Sequence, residues 1–225
     1  MFITRMETIL RLYLLPYNSS RPIVCFDERP CFLIGDTVKG LKMKPGQVAK
    51  ENYAYTKHGS CCVLAMIEPL TGKRYANIRR RRRKKEFAFF MQKLAALYPG
   101  AEIITVVLDN LNTHNFSSFY ETFDAEEAAR LTDRFEFVYT PKSGSWLNMI
   151  EIEFSALSRQ CLNRRISSIG KLSNEVIAYF KERSDNGIKI NWQFSRETAR
   201  QKLNRRYSQV NQQNIKFKLT YFTVY

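Results

Sequence analysis

Two apolar stretches of strand length stand out in the pattern of hydrophobic and polar residues. Residues 103–108 form a nearly continuous, largely β-branched run between Pro99–Gly100 and the polar segment 110–115. Residues 22–26 form a shorter run that is followed at once by acidic residues. Apolar runs of this length, bounded by turn-forming residues, predict buried strands.

The remaining pattern predicts an alternation of helices and strands. Further strands are predicted at residues 31–35, 60–68 and 135–139, and helices at residues 85–97 and 145–161. Another helix is predicted at either residues 117–120 or 125–131, and residues 8–15 are compatible with the end of a longer N-terminal helix. Strands first, then alternating helix and strand, indicate an α/β domain built on a mixed sheet.

Each of the two apolar runs ends at a carboxylate. Asp27 and Glu28 follow the first run, and Asp109 follows the second. A charge beside a buried strand is costly to desolvate unless it is paired or bound to a cation. Mg²⁺ or Mn²⁺ would remove this cost and the mutual repulsion of the acids, because hard cations prefer oxygen ligands.

A third acid is predicted on the helix at residues 145–161. The helix is indicated by apolar residues at helical spacing, with Ser145 as a candidate N-cap: Leu147, Ile150, Phe154, Leu157 and Cys161. Glu151 and Glu153 fall on opposite flanks of this apolar stripe, so only one of them can face the other acids. Helical phase alone does not choose between them. We favour Glu151, because it shares its flank with the polar Asn148.

These motifs resemble the DDE transposases of bacterial insertion sequences in the mariner superfamily. The resemblance runs from about residue 7 to residue 179 and rests on ordered motifs: Asp27-Glu28; Asp109-Asn110 with His114; and Pro141 with Ser145-Trp-Leu-Asn148 and Glu151. It implies a ribonuclease H-like fold, in which a mixed β-sheet is flanked by helices. It also implies metal-dependent cleavage and transfer of DNA strands during transposition.

The resemblance assigns roles to six residues. It implies that Asp27, Asp109 and Glu151 form a catalytic triad that binds two Mg²⁺ (or Mn²⁺) ions, and that Asn110, His114 and Asn148 support the site. The implied partner is double-stranded DNA, both as transposon ends and as target. The implied active form is a homodimer or a larger assembly on DNA.

The charge balance is consistent with a polyanionic partner. With 36 Lys and Arg against 21 Asp and Glu, the net charge is +15 and the sequence pI is near 9.7, which favours nucleic acid or an anionic membrane. The densest charge run is residues 79–85, and the DNA-contacting residues predicted from the chain are Arg79, Arg80, Arg81, Arg82, Arg83, Lys84 and Lys142. A solubilising exposed turn is an equally weighted interpretation of this run.

Composition limits the other classes of protein. No apolar segment approaches the ~20 residues of a membrane-spanning helix, and no signal-peptide pattern is present, so we expect a cytoplasmic bacterial protein without a membrane partner. Five cysteines without a Cys-x-x-Cys pair, and only two histidines, indicate neither a zinc site nor a disulfide framework. We interpret Cys25 and Cys61 as small core residues.

Three parts are expected along the chain. Residues 1–20 would be the remnant of a helical region, residues 21–185 the catalytic domain, and residues 186–225 a basic tail whose last eleven residues alternate like a strand. Members of the resembled family carry a helix-turn-helix region ahead of the first Asp, whereas 26 residues precede Asp27 here. A truncated, non-catalytic DNA-binding remnant is therefore the alternative function, followed by a structure-specific nuclease of the same fold.

Overall fold

The computed structural model describes residues 1–38, 43–48 and 52–214, and a five-stranded mixed sheet lies at its centre. The strands are β1 (Ile23–Asp36), β2 (Tyr55–Ile67), β3 (Arg74–Arg79), β4 (Ile104–Leu108) and β5 (Phe135–Tyr139). Their order across the sheet is β3-β2-β1-β4-β5. The first three strands pair antiparallel, whereas β4 pairs parallel to both β1 and β5.

Helices cover both faces of this sheet. They are α1 (Phe2–Leu12), α2 (Lys84–Leu97), α3 (Ser117–Tyr120), α4 (Ala125–Arg134), α5 (Ile150–Gln160), α6 (Ile169–Asp185), α7 (Arg196–Lys202) and α8 (Asn204–Val210). A 3₁₀ turn at Ser145–Leu147 precedes α5. The predicted α/β architecture, a mixed β-sheet flanked by helices, is confirmed.

Two hydrophobic cores explain why the strands are apolar without alternation. Val24 and Phe26 of β1 lie in the core on the face of α2, α3 and α4, whereas Cys25 lies in the core with α1, α5, α6, α7 and α8. Because successive side chains of a strand point to opposite faces, a strand covered on both sides needs a continuous apolar run. The same alternation sends Asp27 and Glu28 to opposite faces of the sheet.

Several element boundaries differ from the sequence predictions. The strands predicted at residues 22–26 and 31–35 are one strand, β1, which continues through Pro30 opposite Cys62. Strand β3 was not predicted, because in its sequence Arg-Tyr-Ala-Asn-Ile-Arg only Arg74 and Ala76 are buried. Both alternatives for the fourth helical region are present, as α3 and α4.

The predicted N-cap at Ser145 is wrong. The α-helix begins at Ile150 after Met149, which gives no side-chain cap, and Ser145 belongs to the preceding 3₁₀ turn. This turn follows Ser143, whose φ of 61° is in the left-handed region. The chain therefore bends between Pro141 and Asn148 before the helix starts. The helical spacing of apolar residues across this segment does not correspond to one continuous helix.

Both ends of the described chain pack on the sheet. Met6, Ile9 and Leu10 of α1 are fully or almost fully buried in the same core as Ala199 of α7 and Tyr207 of α8. The division into residues 1–20, 21–185 and 186–225 stays a prediction. The predicted alternation at residues 215–225 lies outside the described residues.

Two predictions from composition can be compared with the structure. No helix in the described ranges is long and apolar enough to cross a membrane. All five cysteines are free thiols, and Cys25 and Cys61 are buried in a core as predicted.

Candidate active site

The parallel pairing of β1 with β4 places Asp27 beside Asp109. Cys25 lies opposite Val107, and each aspartate follows two residues further along its strand. Asp27 is still inside β1 and is only 8% exposed, whereas Asp109 is just past the end of β4 and its side chain is 30% exposed. The two neighbouring strands therefore place a buried carboxylate, Asp27, beside an accessible one, Asp109.

Asp27 is sensitive to the charges around it. Burial, together with the negative charges of Asp109 and Glu151, raises the pKa of this carboxyl to about 7, although the backbone N–H of Glu28 and the charge of His114 act in the opposite direction. The N–H of Glu28 donates to Asp27 Oδ1 at 2.7 Å. The charges of both other predicted acids are therefore felt at Asp27.

The two glutamates of α5 have separate environments. Glu151 is exposed in the first turn of the helix. Glu153 is fully buried, and its carboxylate accepts hydrogen bonds from both Arg74 and Arg183. A carboxylate held by two guanidinium groups has no free oxygen lone pair facing solvent. Glu151 is thus accessible on one flank of α5, whereas Glu153 on the other flank is bound by arginines within the fold.

His114 connects two carboxylates. Its Nδ1 lies 2.6 Å from Asp109 Oδ1, and its Nε2 lies 3.5 Å from Glu28 Oε1. Burial lowers the pKa of His114, but the interactions of the ring with the carboxylates of Asp109 and Glu28 prevail and raise it to about 9. The imidazole is therefore cationic at neutral pH and neutralises part of the negative charge around Asp109.

The predicted supporting amides have different positions. Asn148 is buried, and its Nδ2 donates to the carbonyl of Phe26 at 2.8 Å and lies 3.5 Å from Asp27 Oδ2. Its Oδ1 has no hydrogen-bond partner among the described residues. Asn110 is exposed in the loop after Asp109. Asn148 thus joins the segment before α5 to β1, while a role for Asn110 stays a prediction.

The basic run begins at the end of β3, three residues along β1 from Asp27. Arg79 pairs with Cys62 of β2, which in turn pairs with Pro30 of β1. Arg79 to Arg83 are exposed, and the run continues into the first turn of α2.

Two cations of this run have partners within the chain. Arg83 forms an ion pair with Glu86, and Lys84 forms one with Glu121. Lys142 is exposed in the turn after β5. Contact of any of these residues with DNA stays a prediction.

The donor atoms at this edge suit a hard cation. Asp27, Asp109 and Glu151 offer only carboxylate oxygens, which Mg²⁺ and Mn²⁺ prefer, and the raised pKa of Asp27 shows a buried carboxylate that a cation would stabilise. Within the described ranges, no group of three His, Cys, Asp or Glu side chains is arranged to hold a metal ion. The chemistry of the donors nevertheless fits a divalent ion.

Sequence reasoning missed three residues around this site. Glu28 was recognised as part of a motif but received no role, and Arg74 and Arg183 were not considered. Glu28 had a detectable signal, because strand alternation places it on the same face as the apolar Phe26. The arginines had none, since they lie 79 and 30 residues from Glu153 in sequence.

Comparisons with known proteins assign the chain to a family. A family described as DDE superfamily endonuclease matches residues 22–173, a range that includes Asp27, Asp109 and Glu151. The chain belongs to this family of endonucleases. Its assignment to the bacterial insertion-sequence branch stays a prediction. No curated protein matches the sequence.

Solved structures of the Mos1 transposase are similar to the chain. A pre-cleavage Mos1 transpososome has a TM-score of 0.49 at 15% identity, covering 98% of this chain and 62% of that one. A Mos1 mariner paired end complex with Mn has a TM-score of 0.47 at 16% identity, covering 83% and 56%. A corresponding complex with Mg has a TM-score of 0.49 at 14% identity, covering 83% and 56%. The chain thus spans 56 to 62% of the length of these proteins.

Proposed function

We propose that this chain is the catalytic domain of a transposase, which cleaves and transfers strands of double-stranded DNA with the help of divalent metal ions. The observation that carries the proposal is electrostatic: Asp109 and Glu151 act on the pKa of Asp27, and all three acids lie within the residues that match the family. Asp27 has its pKa raised by burial and by both other acids. A cluster of carboxylates that repel one another is a site prepared for cations and not for a neutral ligand.

Asp27, Asp109 and Glu151 are the proposed ligands of two Mg²⁺ or Mn²⁺ ions. Such ions, when bound, lower the pKa of a nucleophilic water or hydroxyl and stabilise charge at a phosphodiester. The buried Asp27 forms the floor of the site, and the accessible Asp109 and Glu151 form its open side. Asn148 donates to the carbonyl of Phe26 and so joins the segment before α5 to β1; its proposed role is to keep Glu151 within reach of both aspartates.

Basic side chains next to this edge are proposed to bind the DNA backbone. Arg79 to Arg82 are exposed, and they lie at the end of β3 and just after it. Arginine and lysine contact phosphates through charge-assisted hydrogen bonds that position a duplex without reading its sequence. Arg83 and Lys84 would have to exchange their present partners for phosphates, and Lys142 would contact DNA from the turn after β5.

Wider aspects of the function follow from the resemblance. The proposed substrates are transposon ends and target DNA, the proposed active form is a homodimer or larger assembly on DNA, and the proposed location is the bacterial cytoplasm. The three-part division of the chain belongs to this proposal.

A non-catalytic DNA-binding role is the second candidate. It is favoured by one observation, namely that no three potential ligands in the described part of the chain are arranged to hold a metal ion. In that case the fold and the charge of +15 would remain useful for binding, while the acids would not act. A structure-specific nuclease of the same fold differs from both candidates in its preference for branched DNA.

The test is metal-dependent nicking of duplex DNA by the purified chain, compared with the Asp109→Asn variant. We expect nicking with Mn²⁺ or Mg²⁺ and none with EDTA, and we expect Asp109→Asn to abolish it while duplex binding is retained. Asp133→Asn is the matched control, because Asp133 is an exposed aspartate on α4. Nicking by the Asp109→Asn variant would refute the site.

The same experiment separates the alternatives. Tight duplex binding without nicking by the wild-type chain would favour the non-catalytic role. Cleavage that requires a branched substrate would favour the structure-specific nuclease.

A further inference from the structure

Glu28 is a buried carboxylate without a conventional partner. Its side chain is 1% exposed, and neither of its carboxylate oxygens has a hydrogen-bond partner among the described residues. It points to the face of the sheet opposite to Asp27, toward the core that contains Phe26 and Leu64. Burying an unpaired carboxylate is so costly that such groups are rare unless they serve a specific interaction.

The group nearest to Glu28 is the ring of His114. Glu28 Oε1 lies 3.5 Å from Nε2, an atom that is likewise buried and has no other partner in the described structure. The other ring nitrogen, Nδ1, lies 2.6 Å from Asp109 Oδ1. The imidazole therefore lies between a carboxylate on one face of the sheet and a carboxylate of the proposed metal site.

Other contacts hold the ring without determining its orientation. Phe26 meets it edge-on at a centroid distance of 5.3 Å, and Phe87 lies 4.9 Å away at an angle of 30°. These apolar contacts are nearly indifferent to a half-turn of the ring about its Cβ–Cγ bond, a torsion with two broad wells. A half-turn would replace Nδ1 by a carbon atom beside Asp109 and Nε2 by a carbon atom beside Glu28.

We propose that Glu28 is a positioning residue that fixes the ring of His114 and, through it, the carboxylate of Asp109. Glu28 favours the orientation in which Nε2 faces it, and this orientation is the one that directs Nδ1 to Asp109 Oδ1. Groups that orient a metal ligand from behind typically change metal affinity 10- to 100-fold when they are replaced. The metal-binding role of Asp109 rests on the proposed function, whereas the contact between Glu28 and His114 does not.

Replacement by leucine separates this role from a structural one. Leucine fills a similar volume, glutamine has nearly the shape of glutamate, and both remove the charge that faces the His114 ring. A residue needed only for packing would change neither the ring signals nor the metal affinity in these variants. A positioning residue would change both in Glu28→Leu, and Glu28→Gln, which retains an oxygen acceptor, would partly restore the wild-type values.

The first measurement is the ¹H–¹⁵N spectrum of the histidine rings. The chain contains only two histidines, and His58 is exposed on β2, so its signals provide an internal control. We expect the ring ¹⁵N signals of His114 to move in Glu28→Leu and to return part of the way in Glu28→Gln, while those of His58 stay unchanged. Unchanged His114 signals in Glu28→Leu would overturn the proposal.

The second measurement is Mn²⁺ affinity, followed by the EPR signal of the free ion. We expect Glu28→Leu to weaken binding about tenfold, with Glu28→Gln between it and the wild type. Glu68→Gln is the matched control, because Glu68 is a glutamate with 2% exposure next to β2 that has no contact with His114. Equal affinities of Glu28→Leu and the wild type would overturn the link to Asp109. If the wild-type chain binds no Mn²⁺, the proposed function fails, and the ring signals still decide whether Glu28 positions His114.

Discussion

Replacing Glu153 by Gln should destabilise the chain far more than replacing its neighbour Glu151. Glu153 Oε1 accepts from Arg74 Nη2 at 2.8 Å and from Arg183 Nη2 at 2.9 Å. Oε2 accepts from Arg74 Nε at 2.8 Å and from Arg183 Nε at 3.1 Å. Glutamine would present an NH₂ group to two of these donors and would remove the only negative charge in the network.

The expected magnitude follows from the burial of the arginines. The side chain of Arg74 is 0% exposed and that of Arg183 is 17% exposed, so the cations cannot regain water when Glu153 is neutralised. Removing one partner of a buried ion pair costs about 3–5 kcal/mol. For a chain of this size each kcal/mol lowers the melting temperature by about 2–4 °C, so Glu153→Gln should melt roughly 6–20 °C below the wild type.

Glu151→Gln is the matched control on the same helix. Glu151 is exposed, and surface substitutions usually change stability by no more than about 0.5 kcal/mol, so its melting temperature should move by about 2 °C or less. This variant should nevertheless lose metal-dependent nicking, because it lacks one proposed ligand. Thermal unfolding followed by circular dichroism, together with the nicking assay, measures both properties.

Acid should reduce the difference between Glu153→Gln and the wild type. Burial raises the pKa of Glu153, but its hydrogen bonds to Arg74 and Arg183 prevail and hold the pKa below the ordinary value of 4.5. A carboxyl whose pKa is lowered by folding stabilises the folded state above its unfolded pKa, and this stabilisation disappears as pH falls through the folded pKa. Melting temperatures of the wild type and Glu153→Gln that agree at pH 7 would refute the reasoning.

Two further predictions concern the acidic and basic sides of the site. The pKa of Asp27 is raised from 3.8 to about 7, so the metal-free wild type should lose up to about 4 kcal/mol of stability as pH rises between these values. Asp27→Asn should not show this loss; equal urea unfolding curves for both proteins in EDTA at pH 8 would contradict it. Replacing Arg80, Arg81 and Arg82 by Ala should flatten the slope of log affinity against log salt by up to roughly 2–3 units, because each phosphate contact contributes about 0.9. Affinities for unrelated duplexes should fall alike, and an unchanged slope would assign these arginines to a solvated turn.

The fold was largely predictable because its main signals are local. A strand buried on both faces requires an uninterrupted apolar run, and the runs before Asp27 and Asp109 have this property. Strand β3 lacks it, since its residues are mostly polar and its pairing with β2 depends on a distant segment. The sequence also predicts two strands where the structure has the single strand β1. A proline normally excludes a central strand, and the sequence does not show that the pairing with β4 has already stopped before Pro30.

The candidate acids could be proposed from the sequence where they follow a strand. Asp27 and Asp109 are predicted from their positions after apolar runs, and Glu151 is preferred to Glu153 because of helical phase and Asn148. The structure adds that Glu153 is bound by arginines from β3 and α6, while the metal-binding role of the three acids stays a prediction. The bridge from Glu28 through His114 to Asp109 was not predictable, since it crosses the sheet at a point set by the loop after β4.

Pro30 has a further consequence for how the chain avoids its own copies. In the described structure β4 pairs with β1 over Ile23–Cys25, and further along the same side of β1 the N–H of Ile34 donates to the carbonyl of Ile166. The segment of β1 between these contacts has β2 as its one strand neighbour. Open edges are templates on which another chain can add a strand and begin to aggregate. Pro30 is exposed on this stretch and has no N–H to offer to an incoming strand. Pro30, which makes β1 look like two strands in the sequence, thus also disfavours the pairing of another chain with this part of β1.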